Sequence, residues 1–213
     1  MNPILHSSSL LAAGAFALAL VARPAQAAPI YLNFQNISVA LGASMAAEPF
    51  ANQTTATSLA NVIDAPSADA AEEHTQPAHV WVSGGSLELD FDFGLEYDLT
   101  TLHFWNYFGE AYDVDDVDLT FFDADMTPVG QLLDVMPALG GGGSNPIYAE
   151  DYELAFPSKV RFVNVVLSGS NGEVDFNNIG FTGEVSVPEP AAALLLASVG
   201  LSGLARRRFA RGC

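Results

Sequence analysis

An all-β jelly-roll sandwich is the fold this sequence predicts, on three observations. Side chains alternate apolar and polar with period two in several stretches between residues 28 and 186. Helical periodicity is scarce over the same range. Eight or so short apolar runs are separated by Gly, Pro, Asn and Asp turns, the spacing of a sandwich or barrel.

The strands follow in order of clarity. Ser86–Phe93 places Leu87, Leu89, Phe91 and Phe93 on one face and Glu88, Asp90 and Asp92 on the other. Asp116–Phe121 repeats the pattern, with Val117, Leu119 and Phe121 inward. Thr101–Phe108 and Lys159–Leu167 carry apolar residues on both faces, which predicts central strands covered on both sides. Weaker strands are expected at Ile30–Phe34, His79–Ser83, Val129–Leu133, Tyr148–Phe156 and Val174–Phe181. Ala43–Glu73 reads as a polar wrap with little regular structure. Leu139–Pro146, with its four glycines, lacks the Gly-Lys-Ser/Thr of a phosphate loop and reads as a connection.

Both ends differ from this middle. Leu10–Ala22 is a 13-residue apolar run, short for a spanning helix, and leads to Ala25-Gln26-Ala27, the small-x-small pattern of signal peptidase. Its n-region has no Lys or Arg, only His6, which is off-pattern. The expected division is a signal helix at 1–27, removed by signal peptidase, a sandwich at 28–186 and a C-terminal segment at 187–213. That last segment reads Val187-Pro188-Glu189-Pro190, then a 15-residue apolar run, then Arg206-Arg207-Arg208. Fifteen helical residues span roughly 22 Å, short of the ~30 Å hydrocarbon core. Such a short hydrophobic helix holds the chain only transiently at the inner membrane, with its arginines on the cytoplasmic side. An ordinary single-span anchor is the alternative.

Without its two ends the chain keeps 24 acidic residues against Lys159 and Arg161, a net 22 negative charges. That sign repels phosphate backbones, so no nucleic-acid partner is expected. It suits neutral glycans, divalent cations or basic partners, and it equally serves plain solubility. The only cysteine, Cys213, lies in the tail, so no internal disulfide supports the sandwich.

The order Pro-Glu-Pro, apolar run, arginine cluster resembles the PEP-CTERM sorting signal of Gram-negative bacteria. The resemblance implies processing by an exosortase and delivery to the cell surface or exopolysaccharide matrix. A second resemblance runs through Asn61-Val62-Ile63-Asp64, Val80-Trp81-Val82-Ser83, Leu87-Glu88-Leu89-Asp90-Phe91, Val160-Arg161-Phe162-Val163 and Asn177-Asn178-Ile179-Gly180-Phe181. This succession is similar to the discoidin domains of the galactose-binding-like superfamily, and it implies a non-catalytic module that binds carbohydrate, with extracellular polysaccharide as the partner. It also implies a structural calcium at Asp64 and Asn178, with Glu173 and Asp175 to make up charge. Asp64 capping a turn is the simpler alternative. Ala65 stands where the family has Gly, and Asn178 where it has an acid.

For the ligand, Trp105, Tyr107, Glu110 and Tyr112 combine stacking rings with a carboxylate; rings at this density serve a core more often than a platform. His74, His79 and His103 are dispersed, and a zinc site would require the fold to converge them. The Asp113–Asp118 run lacks the Gly and terminal Glu of a calcium loop and reads as a wet strand face. No His-Glu-x-x-His, Gly-x-Ser-x-Gly or cysteine nucleophile is present, so the chain reads as a non-enzyme. A purely structural acidic matrix protein and a secreted hydrolase are the competing readings.

Overall fold

The computed structural model describes residues 28–45, 50, 59–75, 77–141, 146–155 and 157–187. The expected signal peptide with Ala25 and Ala27, and the tail from Pro188 through Arg206, Arg207 and Arg208, lie outside the described residues, as do the positions of both expected flanking helices.

Nine strands are present among the described residues: β1 Ile30–Leu32, β2 Ser38–Leu41, β3 Val80–Ser83, β4 Ser86–Asn106, β5 Asp116–Phe122, β6 Pro128–Val135, β7 Glu150–Glu153, β8 Val160–Ser168 and β9 Glu173–Val185. All named strand pairings are antiparallel. Among the described residues α-helix is confined to a turn at 59–61, and no helix is long and apolar enough to cross a membrane.

β4 joins the two layers. Its first half, Ser86–Asp92, pairs with β2 on one side and β8 on the other, and β8 continues to β5 and β6. Its second half, Tyr97–Asn106, pairs with β9 and β7, and β9 carries β1 and β3 along its far side. The partners change at a bulge, where Gly94 has φ +71° and its N–H donates to Asp92 Oδ1 at 2.7 Å. What the sequence presents as separate strands at 86–93 and 101–108 is therefore one 21-residue strand.

The layers face each other through the residues the alternation selects. Leu87, Leu89, Phe91 and Phe93 are all buried. Phe91 and Phe93 meet Phe181 of β9 edge-to-face, at 5.7 and 5.3 Å between ring centroids. Phe104 and Phe176 stack at 5.5 Å. The expectation for β8 is corrected in one respect. Val163, Val165 and Leu167 are buried, but Phe162 and Val166 are only half-covered, so β8 has one core face. Arg161 lies over the Phe162 ring at 5.2 Å and pairs with Asp92, which accounts for that half-cover. Ser38–Leu41 is a strand that the sequence does not announce, because β2 is four residues long with both faces partly exposed.

The second layer is covered on its outer face by the chain between Val62 and Glu72. Ile179 N–H donates to Val62 O at 2.7 Å, and Glu72 and Ile147 exchange backbone bonds at 2.8 Å. Beneath this cover a small cluster forms from Ala65, Trp105 and Ile147, with Tyr31, Ala70 and Phe108 against it.

Candidate functional site

Where β3 runs beside the start of β9, three further segments meet: residues 73–79 entering β3, residues 107–113 leaving β4, and the β8–β9 turn. Antiparallel pairing sets Trp81 opposite Asp175 and Ser83 opposite Glu173, and a bridge brings Asp113 beside Asp175. The alternation of β9 is lost here, since Val174 through Phe181 are all buried. Polar side chains on this strand must therefore find partners inside the protein.

Glu173 accepts from Trp81 Nε1 at 2.7 Å and from Ser83 Oγ at 3.0 Å. Fixed in this way, the half-buried indole of Trp81 meets the Tyr112 ring edge-to-face at 6.1 Å. Tyr112 in turn lies 6.1 Å from Tyr107, and Tyr107 lies 4.4 Å from Phe108 and 4.3 Å from the His74 ring. Tyr112 is 43% exposed, Trp81, Tyr107 and Phe108 are half-buried, and Glu110 is exposed beside them. Asn171 from the β8–β9 turn donates to Glu110 O at 2.7 Å. The result is a continuous run of rings bordered by carboxylates and an amide at one end of the sandwich.

Trp105 is not part of it. Its side chain is fully buried and its Nε1–H donates to Ala70 O at 2.9 Å. The strand carries it under the 62–72 cover, so it serves the core and offers no face for stacking. The sequence groups Trp105 with Tyr107 and Tyr112, whereas the fold substitutes Trp81, which comes from a different strand.

The four residues expected around a calcium are likewise split. Asp64 Oδ1 accepts from Asn178 Nδ2 at 2.9 Å, and Asn178 Oδ1 accepts from Ala65 N–H at 2.9 Å. That pair ties the outer cover to β9 and uses both ends of the Asn178 amide. Burial pushes the Asp64 carboxyl above its ordinary value. Glu173 and Asp175 lie toward the other end of the strand with the partners described here, so the four do not form one ligand set.

Asp175 instead sits between two imidazoles. Its Oδ1 is 2.7 Å from His79 Nδ1 and its Oδ2 is 3.9 Å from His74 Nε2. The two imidazole rings lie 4.2 Å apart. One donor atom from each of the three residues lies within 4.8 Å of the other two. His74 Nδ1 is 3.2 Å from Asn177 Oδ1, and Asn177 Nδ2 donates to Glu73 O and Ala78 O. Burial pushes His74 below the usual imidazole range, although Asp175 attracts its proton, and burial also pushes Asp175 up against the opposing bond from His79. His103 is elsewhere, held between Asp151 Oδ1 at 2.6 Å and Thr182 Oγ1 at 2.7 Å. The sequence reading of three separate histidines thus holds for His103 and fails for the other two. A second close group, Asp116, Asp118 and Asp134, lies on β5 and β6.

Residues 186–208 match the PEP-CTERM protein-sorting motif. The chain carries the sorting signal of an exported protein. Such a signal implies processing by an exosortase and sorting to the cell envelope or surface. Comparison with curated protein sequences finds no match.

Solved structures with a similar arrangement of strands include the family 32 carbohydrate-binding module of C. perfringens NanJ in complex with galactose (TM-score 0.48, 6% identity, covering 73% of this chain and 99% of that one). The lectin domain of lectinolysin complexed with Lewis B antigen is another (TM-score 0.44, 11% identity, 74% and 100%). A third is the Streptococcus pneumoniae fucose-binding module SpX-3 (TM-score 0.42, 10% identity, 66% and 92%). The ligands belong to those proteins, and the likeness assigns none to this chain.

Proposed function

We propose that this PEP-CTERM protein is a non-catalytic surface or matrix protein that holds neutral polysaccharide against the rings at the β3–β9 end of its sandwich. The observation that carries the reading is the run Trp81–Tyr112–Tyr107. These are three aromatic rings left partly open to solvent, with Glu110, Glu173 and Asn171 at their margins. Sugar rings present apolar C–H faces and hydroxyl edges. Aromatic faces take the former, and carboxylates and amides grip the latter. The acidity of the chain leaves neutral sugars as the fitting class, because anionic ones are repelled.

The test is a glycan and polysaccharide binding screen of the full chain in mild detergent, alongside Tyr112→Ala and Trp81→Ala. Tyr112 is exposed, so its truncation leaves the core intact. Saturable binding that weakens by roughly tenfold or more in both variants, the usual scale for losing an aromatic anchor, is the expected result. A folded protein that binds no glycan, or binds equally well without either ring, returns the sandwich to a structural role.

A further inference from the structure

We propose that His74, His79 and Asp175 form a zinc site, a three-ligand centre that ties the chain entering β3 to the start of β9. Zinc held by imidazole nitrogen and carboxylate oxygen at about 2.0–2.2 Å needs donors roughly 3.4 Å apart in a tetrahedron. The separations from the Asp175 carboxylate, 2.7 Å from Oδ1 to His79 Nδ1 and 3.9 Å from Oδ2 to His74 Nε2, fall on either side of that value, and one donor atom from each of the three residues lies within 4.8 Å of the other two.

The surroundings prepare the ligands. Asn177 spends its NH2 on the carbonyls of Glu73 and Ala78, so its oxygen faces His74 Nδ1. In the neutral imidazole that orientation favours the proton on Nδ1 and leaves Nε2, the nitrogen nearer Asp175, as the ligating atom. A hydrogen-bond acceptor on the far nitrogen of a ligating histidine orients metal-bound imidazoles generally, and the Asn177 carbonyl oxygen fills that place.

The donor chemistry selects the metal. Two nitrogens and one carboxylate are poor ligands for calcium or magnesium, which want oxygens, and suit zinc among the redox-inert ions. Three protein ligands leave one coordination position for water or a hydroxyl. Ligation requires neutral imidazole nitrogens, so zinc competes with protons for the site.

The full chain, without an added polyhistidine tag, is stripped with chelator in mild detergent and titrated with zinc by calorimetry. Cobalt(II) is titrated in parallel, because its visible absorption reports tetrahedral nitrogen and oxygen ligation. One zinc per chain, tetrahedral cobalt absorption and a higher Tm with zinc are expected. His74→Ala, on the partly exposed side of the cluster, is expected to weaken zinc binding by roughly 10- to 100-fold or more, the scale already reached when only an outer partner of a ligand is lost. His103→Gln, which alters the other histidine–carboxylate pair, is expected to leave it unchanged. Asp175→Asn supplies a second variant where circular dichroism shows it folded. Absence of zinc uptake by the folded wild-type chain overturns the proposal. So does uptake that survives His74→Ala, or uptake lost equally in His103→Gln.

Discussion

Asp113 shows how much one carboxylate can cost when the fold takes it from water. It is 6% exposed, and its Oδ1 is buried without a hydrogen-bond partner among the described residues. Burial, and then the like charges of Asp115 and Glu110, push its carboxyl up from 3.8 to about 6. Between those two values the native chain holds a proton that the unfolded chain has released. Native stability from this residue is therefore fully present below about pH 4 and falls as pH rises toward 6. Asp113→Asn keeps the shape and removes the charge. Urea unfolding at pH 7.5 is expected to show the variant more stable than wild type, with the advantage shrinking toward zero near pH 4. A variant less stable than wild type at pH 7.5 would mean that the Asp113 charge has a favourable partner, such as an ion. None of this is legible in the sequence, where Asp113 opens a run of acids that reads as solvent-facing. Asp116 and Asp118 do lie on the half-exposed face of β5, whereas Asp113 is drawn inward by its bridge to β9.

Whole strands were more transparent to the sequence than their neighbours in space. The alternation through Leu87, Leu89, Phe91 and Phe93 predicts the buried face of β4 residue by residue, because period-two burial is a local property. The partners of β4 are not local. Neither the convergence of His79 with Asp175, 96 residues apart, nor the burial of Trp105 under Ala70 leaves a trace in spacing. Both depend on which strand lies beside which, and on a cover whose polar composition reads as loop. The β8–β9 turn illustrates how tightly that placement is held. A Cβ on Gly169 would sit 1.6 Å from Glu173 O and 3.1 Å from Asp113 O, both backbone atoms that cannot step aside. Gly172, at φ +84°, has open space around it and would incur only the left-handed backbone cost of about 1–2 kcal/mol. Gly169→Ala is therefore expected to destabilise by more than about 3 kcal/mol, and Gly172→Ala by less than that. Urea midpoints of the two variants decide it, and the reverse ranking would show that the turn relaxes more freely than its packing indicates. Because Glu173 also holds Trp81, the first variant should lose glycan affinity along with stability.

At the scale of the whole molecule, charge dominates. Between residues 28 and 187 there are 24 acids and two bases. The one Lys/Arg ion pair among the described residues, Arg161 with Asp92 at 2.6 Å, joins two partly exposed groups, and pairs of that kind contribute little. The Arg161 hydrogen bond holds Asp92 below the usual carboxylate range, so acidification weakens this pair while relieving the general repulsion. Apart from the buried Asp113 and Asp175, most of the described acids lie on exposed or half-exposed strand faces and loops, and their repulsion opposes compaction with little attraction to offset it. Salt shortens the reach of these charges from about 30 Å at 0.01 M to about 3 Å at 1 M. Screening removes many repulsive terms and, among the described residues, few attractive ones, so the Tm of this protein is expected to rise steadily with sodium chloride over that range. Chloride is the informative anion, because sulfate and phosphate strengthen apolar burial on their own account. A scan at fixed pH in the presence of chelator separates the effect from metal binding at the His74–His79–Asp175 cluster. A Tm that stays flat or falls with salt would mean that the acids are neutralised in the native state, by protons or by bound cations. The same series repeated at pH 9 distinguishes the two, since loss of protons restores the rise with salt, whereas bound cations are held at least as tightly.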